Sequence, residues 1–134
     1  MLARSLADLV ARGARSPRVV RTSEGVLWIQ APGGPRIDLA RRPVQRRLIR
    51  ALVERHVQTR GSALPSRELV ALVWPGDRSS RASLENRLWV AVSAMRRLDL
   101  GDVLQRDAEG YRLDPAIEVE MVARPGSPVV LAAG

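Results

Sequence analysis

Apolar positions along the chain change their period several times, and each change predicts an element. Over residues 2 to 12, Leu2, Leu6, Leu9 and Val10 fall at i, i+4, i+7 and i+8, the stripe of a short amphipathic helix. From Arg18 to Leu39 the spacing becomes strand-like, with Val19-Val20, then Val26-Leu27-Trp28-Ile29, then Ile37 and Leu39. Gly33-Gly34 can supply the positive φ of a hairpin turn, so two or three antiparallel strands are expected. Residues 43 to 57 return to helical spacing. Pro43 suits the first helical position, and Val44, Leu48, Ala51, Leu52 and Val57 share one face, opposite Arg46, Arg47, Arg50 and Glu54.

Ser66 is placed to cap a short helix holding Leu69, Val70, Leu72 and Val73, which Pro75-Gly76 ends. After the loop from Asp77 to Arg81, a longer helix is predicted, with Leu84, Leu88, Val92 (or Ala91), Met95 and Leu98 at three- and four-residue steps until Gly101. Val103 to Arg106, a turn at Asp107 to Gly110, and Tyr111-Arg112-Leu113 read as a β-hairpin. Beyond Pro115, Ile117 to Val122 alternates weakly, and Val129-Val130-Leu131 follows a Pro-Gly-Ser-Pro break. The chain thus divides into an N-terminal amphipathic helix (1–16), one α+β domain (17–115), and an extension (116–134) that reads as an edge strand or a tail.

Composition narrows the chemistry. A chain of 134 residues has room for one domain of ordinary size. With 46% hydrophobic residues but only 3% aromatic, its core must be built from Leu, Val, Ile and Ala. All 22 basic residues are Arg, which points to a GC-rich genome and removes Schiff-base, P-loop and general-base lysines. The absence of Cys and the single His56 leave no basis for a thiolate nucleophile or a Cys- or His-rich metal site. Paired carboxylates and a Gly-rich phosphate cradle are also missing, so a binding protein is expected rather than an enzyme, with neither cofactor nor metal. The net charge of +8 favours polyanionic partners. No apolar run approaches the length of a spanning helix or secretory core, so a soluble, cytoplasmic protein without a membrane partner is expected.

Strands, helix, short helix, long helix and hairpin is the order of a winged helix-turn-helix. The stretch Leu69-Val70-Ala71-Leu72-Val73-Trp74-Pro75-Gly76-Asp77, then Asn86-Arg87 through Met95-Arg96-Arg97-Leu98, then Gly110-Tyr111-Arg112-Leu113, resembles the OmpR/PhoB-type DNA-binding effector domain over residues 18 to 115. That resemblance implies a bacterial transcriptional regulator with an N-terminal antiparallel sheet, a three-helix core and a C-terminal hairpin wing. It would bind specific duplex DNA sequences with the third helix in the major groove and the wing on the backbone. It also implies tandem half-sites, hence a homodimer on DNA or a partner regulatory chain, with the stripe of residues 2 to 12 holding the twin. Trp74 and Leu72 would be core, and Trp28, on a strand, is expected to be buried. Family members are commonly fused to a receiver domain, and this chain carries none.

Asn86, Arg87, Val90, Ser93 and Arg97 share the face opposite Leu84, Leu88 and Met95, where Arg suits guanine and Asn suits adenine. Arg81, at the helix start, is expected on phosphate. Arg46, with Arg47 and Arg50, forms a solvated face within phosphate reach, and Arg106 and Arg112 are the wing's basic residues. Residues 78 to 97 hold five Arg against Glu85, net +4, whereas residues 98 to 120 hold two Arg against seven acids, net −5. That acidic segment, together with the apolar run Leu88-Trp89-Val90-Ala91-Val92, motivates an alternative: a protein-interaction module using the same helix and an acidic wing. Trp89 discriminates, because its exposure beside Val90 favours a protein partner. His56, at a helix end, is expected to complement the helix dipole.

Overall fold

A computed structural model describes residues 18–123 of the chain. The predicted helix over residues 1 to 16 and the apolar triplet at 129–131 lie outside the described residues. The first sheet is built on β1 (Arg18–Ser23), which pairs antiparallel with β2 (Trp28–Gln30), itself antiparallel to β3 (Arg36–Asp38). Between β1 and β2 the chain reverses with Gly25 at φ 77° and Val26 at φ 54°. Positive φ is strained for a β-branched residue. It is held because the Val26 side chain is buried, Val26 N–H donates to Ser23 O at 2.9 Å, and Leu27 N–H donates to Ser23 Oγ at 2.7 Å. Trp28, expected in the core, is only half-buried, and the Arg36 guanidinium lies 3.9 Å from its ring centroid.

Helix α1 (Pro43–Gln58) opens on Pro43 as anticipated and buries Leu48, Ile49, Ala51, Leu52, Val53 and His56. Val57, assigned to that face from sequence, is 62% exposed. Nine residues after Leu48 is two and a half turns, so Val57 falls on the opposite side. His56 is buried rather than serving the helix end as an exposed cation. Its Nε2 lies 2.7 Å from Ile117 O while Nδ1 has no partner, which puts the proton on Nε2 and makes the ring a donor pinning α1 to the extension.

Leu64–Pro65 forms a two-residue strand, β4, leading directly into α2 (Ser66–Val73). Ser66 is therefore the first helical residue and not the cap. Pro65 occupies the cap position, and Ser66 N–H donates to Glu109 O at 3.3 Å. Leu72, expected in the core, is 53% exposed, being rotated away from the buried Leu69, Val70 and Val73. Trp74 ends α2 and packs half-buried against the core. A loop then leads to α3 (Arg81–Met95), whose first turn is capped by Ser80 Oγ accepting from Ser83 N–H at 3.1 Å. The helix stops at Met95, earlier than its apolar period suggests, because Leu98 and Asp99 leave helical angles in the turn Arg96–Leu100, Asp99 with φ 70°.

β5 (Leu104–Arg106) and β6 (Gly110–Leu113) make the hairpin, and β4 joins β6 on its other side, giving the order β4-β6-β5. The chain ends its described course in β7 (Ile117–Val122), which runs parallel to β1 from Arg18↔Ile117 to Ser23↔Val122. The first sheet is thus mixed, in the order β3-β2-β1-β7, and the N-terminal strands alone make the antiparallel part. Parallel pairing requires a long crossover, here everything between β1 and β7. Ion pairs Arg18–Asp114 at 2.9 Å and Arg21–Glu120 at 3.0 Å accompany it. One core joins Val20, Ile29, Ile37 and Ile117 of this sheet to the buried faces of the three helices and to Leu104, Tyr111 and Leu113 of the other sheet. The result is an α+β fold with three helices and two small sheets among the described residues.

Candidate nucleic-acid interface

The inward face of α3 carries Leu88, Ala91, Val92 and Met95. Helical periodicity then forces Asn86, Val90 and Ser93, at i, i+4 and i+7, onto one outward ridge, while Arg97 lies past the helix end in the turn Arg96–Leu100. Asn86, Val90 and Arg97 are exposed and Ser93 is half-buried.

Arg87 sits on one flank and is not free in this conformation. Its Nη1 lies 2.8 Å from Asp77 Oδ2 and its Nη2 donates to Ser79 Oγ at 3.2 Å. Asp77 also accepts from Ser79 N–H at 2.8 Å. Hydrogen bonds from the Ser79 hydroxyl and backbone, with that from Arg87, hold the Asp77 carboxyl down at about 2. A folded-state value below the unfolded one means that the clamp supports the native loop above the ordinary carboxylate range and is lost as pH falls toward 2. Carbon-detected NMR titration is expected to place the Asp77 midpoint near 2, with Arg87 guanidinium signals moving in step. A midpoint at the ordinary value near 3.8 would show that the clamp does not form in solution.

Arg81 lies at the start of α3 and pairs with Glu85 at 2.9 Å. Together with Arg67 on α2 and Arg106 on β5 it lines a cleft of about 440 Å³, shared with Glu85 and Glu109. Three arginines from three elements thus line one cleft, and all three are exposed. Arg106 lies 5.8 Å from the Tyr111 ring centroid. Arg67 was not singled out from the sequence; its position in the first turn after Leu64–Pro65 matters only once β4 brings that turn against the hairpin.

Two other arginines do not join this surface. Arg46 is half-buried and its Nε donates to Gly25 O at 3.0 Å, stitching α1 to the turn after β1, so it is no solvated phosphate contact. Arg112 donates to Gln105 Oε1 and Gly61 O, both at 3.1 Å, and braces the hairpin against the α1–β4 loop. Neither long-range bond has a signature in local sequence.

The acidic segment is also dispersed. Asp107 Oδ1 accepts from Glu109 and Gly110 N–H at 2.8 and 2.9 Å, making the carboxylate part of the hairpin turn, and those bonds lower its pKa. Asp114 pairs with Arg18, while Glu118 and Glu120 lie on β7 in the other sheet. Of the seven acids, Asp107 and Glu109 are the two at the hairpin turn. Trp89 and Val90 are 52% and 50% exposed, side by side on α3, the outcome that the sequence spacing ties to a protein partner and not to DNA.

Among the described residues there is no cluster of three or more metal-ligating side chains, and no helix is long and apolar enough to cross a membrane. Comparison with family models, curated proteins and solved structures gives no match for this chain.

Proposed function

We propose that the chain is a winged helix-turn-helix module of OmpR/PhoB type that binds specific sequences in double-stranded DNA. In this reading α2 and α3 form the helix-turn-helix, β5–β6 is the wing, and the protein is a bacterial transcriptional regulator acting in the cytoplasm. It carries out no catalytic step and needs no cofactor. The observation that carries the reading is the outward face of α3, where Asn86 and Val90 are exposed, with the cleft of Arg67, Arg81 and Arg106 at its N-terminal end. Asn86 can read adenine, Val90 can contact a thymine methyl, and the cleft arginines can follow the phosphates. Arg87 would exchange Asp77 for a base or phosphate as the complex forms. A single module of this size covers roughly 600 to 1,000 Å², so two copies on repeated half-sites would supply the affinity that one lacks.

Asn86→Ala and Arg87→Ala are each expected to cost about 1 to 3 kcal/mol on the best site and to relax sequence preference, whereas Arg106→Ala weakens all duplexes alike. Selection from a random duplex pool, followed by competition with the wild-type site, measures this. Equal losses on specific and random duplexes for all three variants would show that the ridge does not read bases.

The paired exposure of Trp89 and Val90 supports a second reading, in which α3 docks a protein instead. Trp89→Ala separates the two: DNA affinity within about twofold of wild type leaves Trp89 to another partner, and a loss on the scale of Asn86→Ala assigns it to the DNA face.

A further inference from the structure

The flank of α3 opposite the arginine cleft bounds a second groove, of about 480 Å³, which it shares with the first turn of α1 and with Trp74. Val44, Trp74, Val90, Ala91 and Ala94 make an apolar floor, and Asn86 and Arg87 of α3 complete the lining beside them. Its rim is basic. Arg41 and Arg42 stand at the mouth, exposed, and neither forms an ion pair among the described residues. The first turn of α1 has no acidic residue to neutralise them.

We propose that this groove binds a segment of a partner protein that sets a few apolar side chains on the floor and carries Asp or Glu against Arg41 and Arg42. The inference goes beyond the DNA reading, and because the groove shares Asn86, Arg87 and Val90 with the proposed DNA face, peptide and duplex would compete for α3. An apolar floor offers nothing to a phosphate, while the exposed Arg41 and Arg42 at its rim select against basic peptides. The chain's own terminal segments, outside the described residues, are the wrong sign. Residues 1–17 carry Arg4, Arg12 and Arg15 against Asp8, and residues 124–134 carry Arg124 and no acid. Its acidic stretch, with Glu118 and Glu120, is committed to β7. Charge complementarity therefore points to an acidic amphipathic segment of another protein, the helix-in-groove mode of recognition.

The test uses the full-length protein and a synthetic 14-residue peptide with Leu at helical i, i+3, i+4 and i+7 spacing and Glu elsewhere, beside the same peptide with Lys for Glu. In amide NMR titrations, the Glu peptide is expected to shift Val44, Val90, Ala91, Ala94 and the Trp74 indole, with at least about tenfold tighter binding than the Lys peptide. Arg41→Glu with Arg42→Glu should weaken it by about tenfold or more at an unchanged melting temperature. Ala94→Glu, which fills the floor, should abolish it; if that variant does not fold, the Arg41/Arg42 pair carries the test alone. The proposal is overturned by no shifts at millimolar Glu peptide, by equal binding of the two peptides, or by shifts centred elsewhere. It is equally overturned if a short duplex, and not the peptide, moves the groove residues. Failure of duplex binding with the peptide result intact would remove the DNA reading and leave the groove.

Discussion

Gly110→Ala is expected to be the most destabilising single-methyl change in the domain. Gly110 is buried where β6 lies against β4, paired with Pro65. A Cβ there would run into the Leu64 carbonyl, with Leu64 C at 2.7 Å and Pro65 Cα at 2.8 Å close behind. All of these are backbone atoms, so no side-chain rotation relieves the overlap, and β4 must separate from β6. Overpacking of this kind, combined with lost strand pairing, costs about 3 to 5 kcal/mol, or roughly 12 °C or more in melting temperature for a domain of this size. Because β4 leads straight into α2, the same change displaces Arg67 and lowers duplex affinity as well. Thermal unfolding followed by circular dichroism measures the first effect. A melting temperature within a few degrees of wild type would mean that β4 does not pack on β6 in solution.

Removing the three cleft arginines together, Arg67→Ala, Arg81→Ala and Arg106→Ala, should give the largest functional loss. Each is exposed, so the fold is retained and melting temperature changes little. If each meets a phosphate, the triple variant loses about three counterion-releasing contacts. The slope of log K against log salt then falls in magnitude by about 3, and affinity near 100 mM salt drops on the order of 100- to 1,000-fold. Arg81 contributes by leaving Glu85, an exposed i,i+4 pair that holds it only weakly. An unchanged slope would place the phosphate contacts elsewhere on the protein.

The helices were legible because their spacing carries the information: Leu48, Ala51 and Leu52, or Leu88, Val92 and Met95, repeat often enough to fix a buried face. The reading erred at face edges and ends. Val57 and Leu72 are apolar and adjoin buried positions in sequence, but a helical rotation of about 100° per residue carries each to solvent. β4 was missed because two residues, one of them Pro65, have no period. The parallel pairing of β7 with β1 depends on a crossover that no local pattern encodes, so the sequence does not decide between edge strand and tail. On α3, Asn86, Val90 and Ser93 share a face by helical geometry, whereas Arg97 falls past the helix end. The arginines divided by what tertiary structure offered them: Arg46 and Arg112 found backbone carbonyls far off in sequence, and Arg87 found Asp77 ten residues earlier. Arg67 became a site residue only through the sheet that holds α2 against the hairpin. The charge of segment 98–120 misled for the same reason, since summing along the chain assigned to one face acids that the fold distributes over two sheets.

Duplex binding itself is measured most directly by fluorescence anisotropy of a labelled duplex, either random or selected, titrated with the full-length protein across a salt series. With about four to six Arg–phosphate contacts per protomer, binding at about 50 mM salt should be evident at micromolar protein, and log K against log salt should slope near −4 to −5. Binding that is absent under those conditions, or present but indifferent to salt, would contradict DNA recognition through α3 and its flanking arginines.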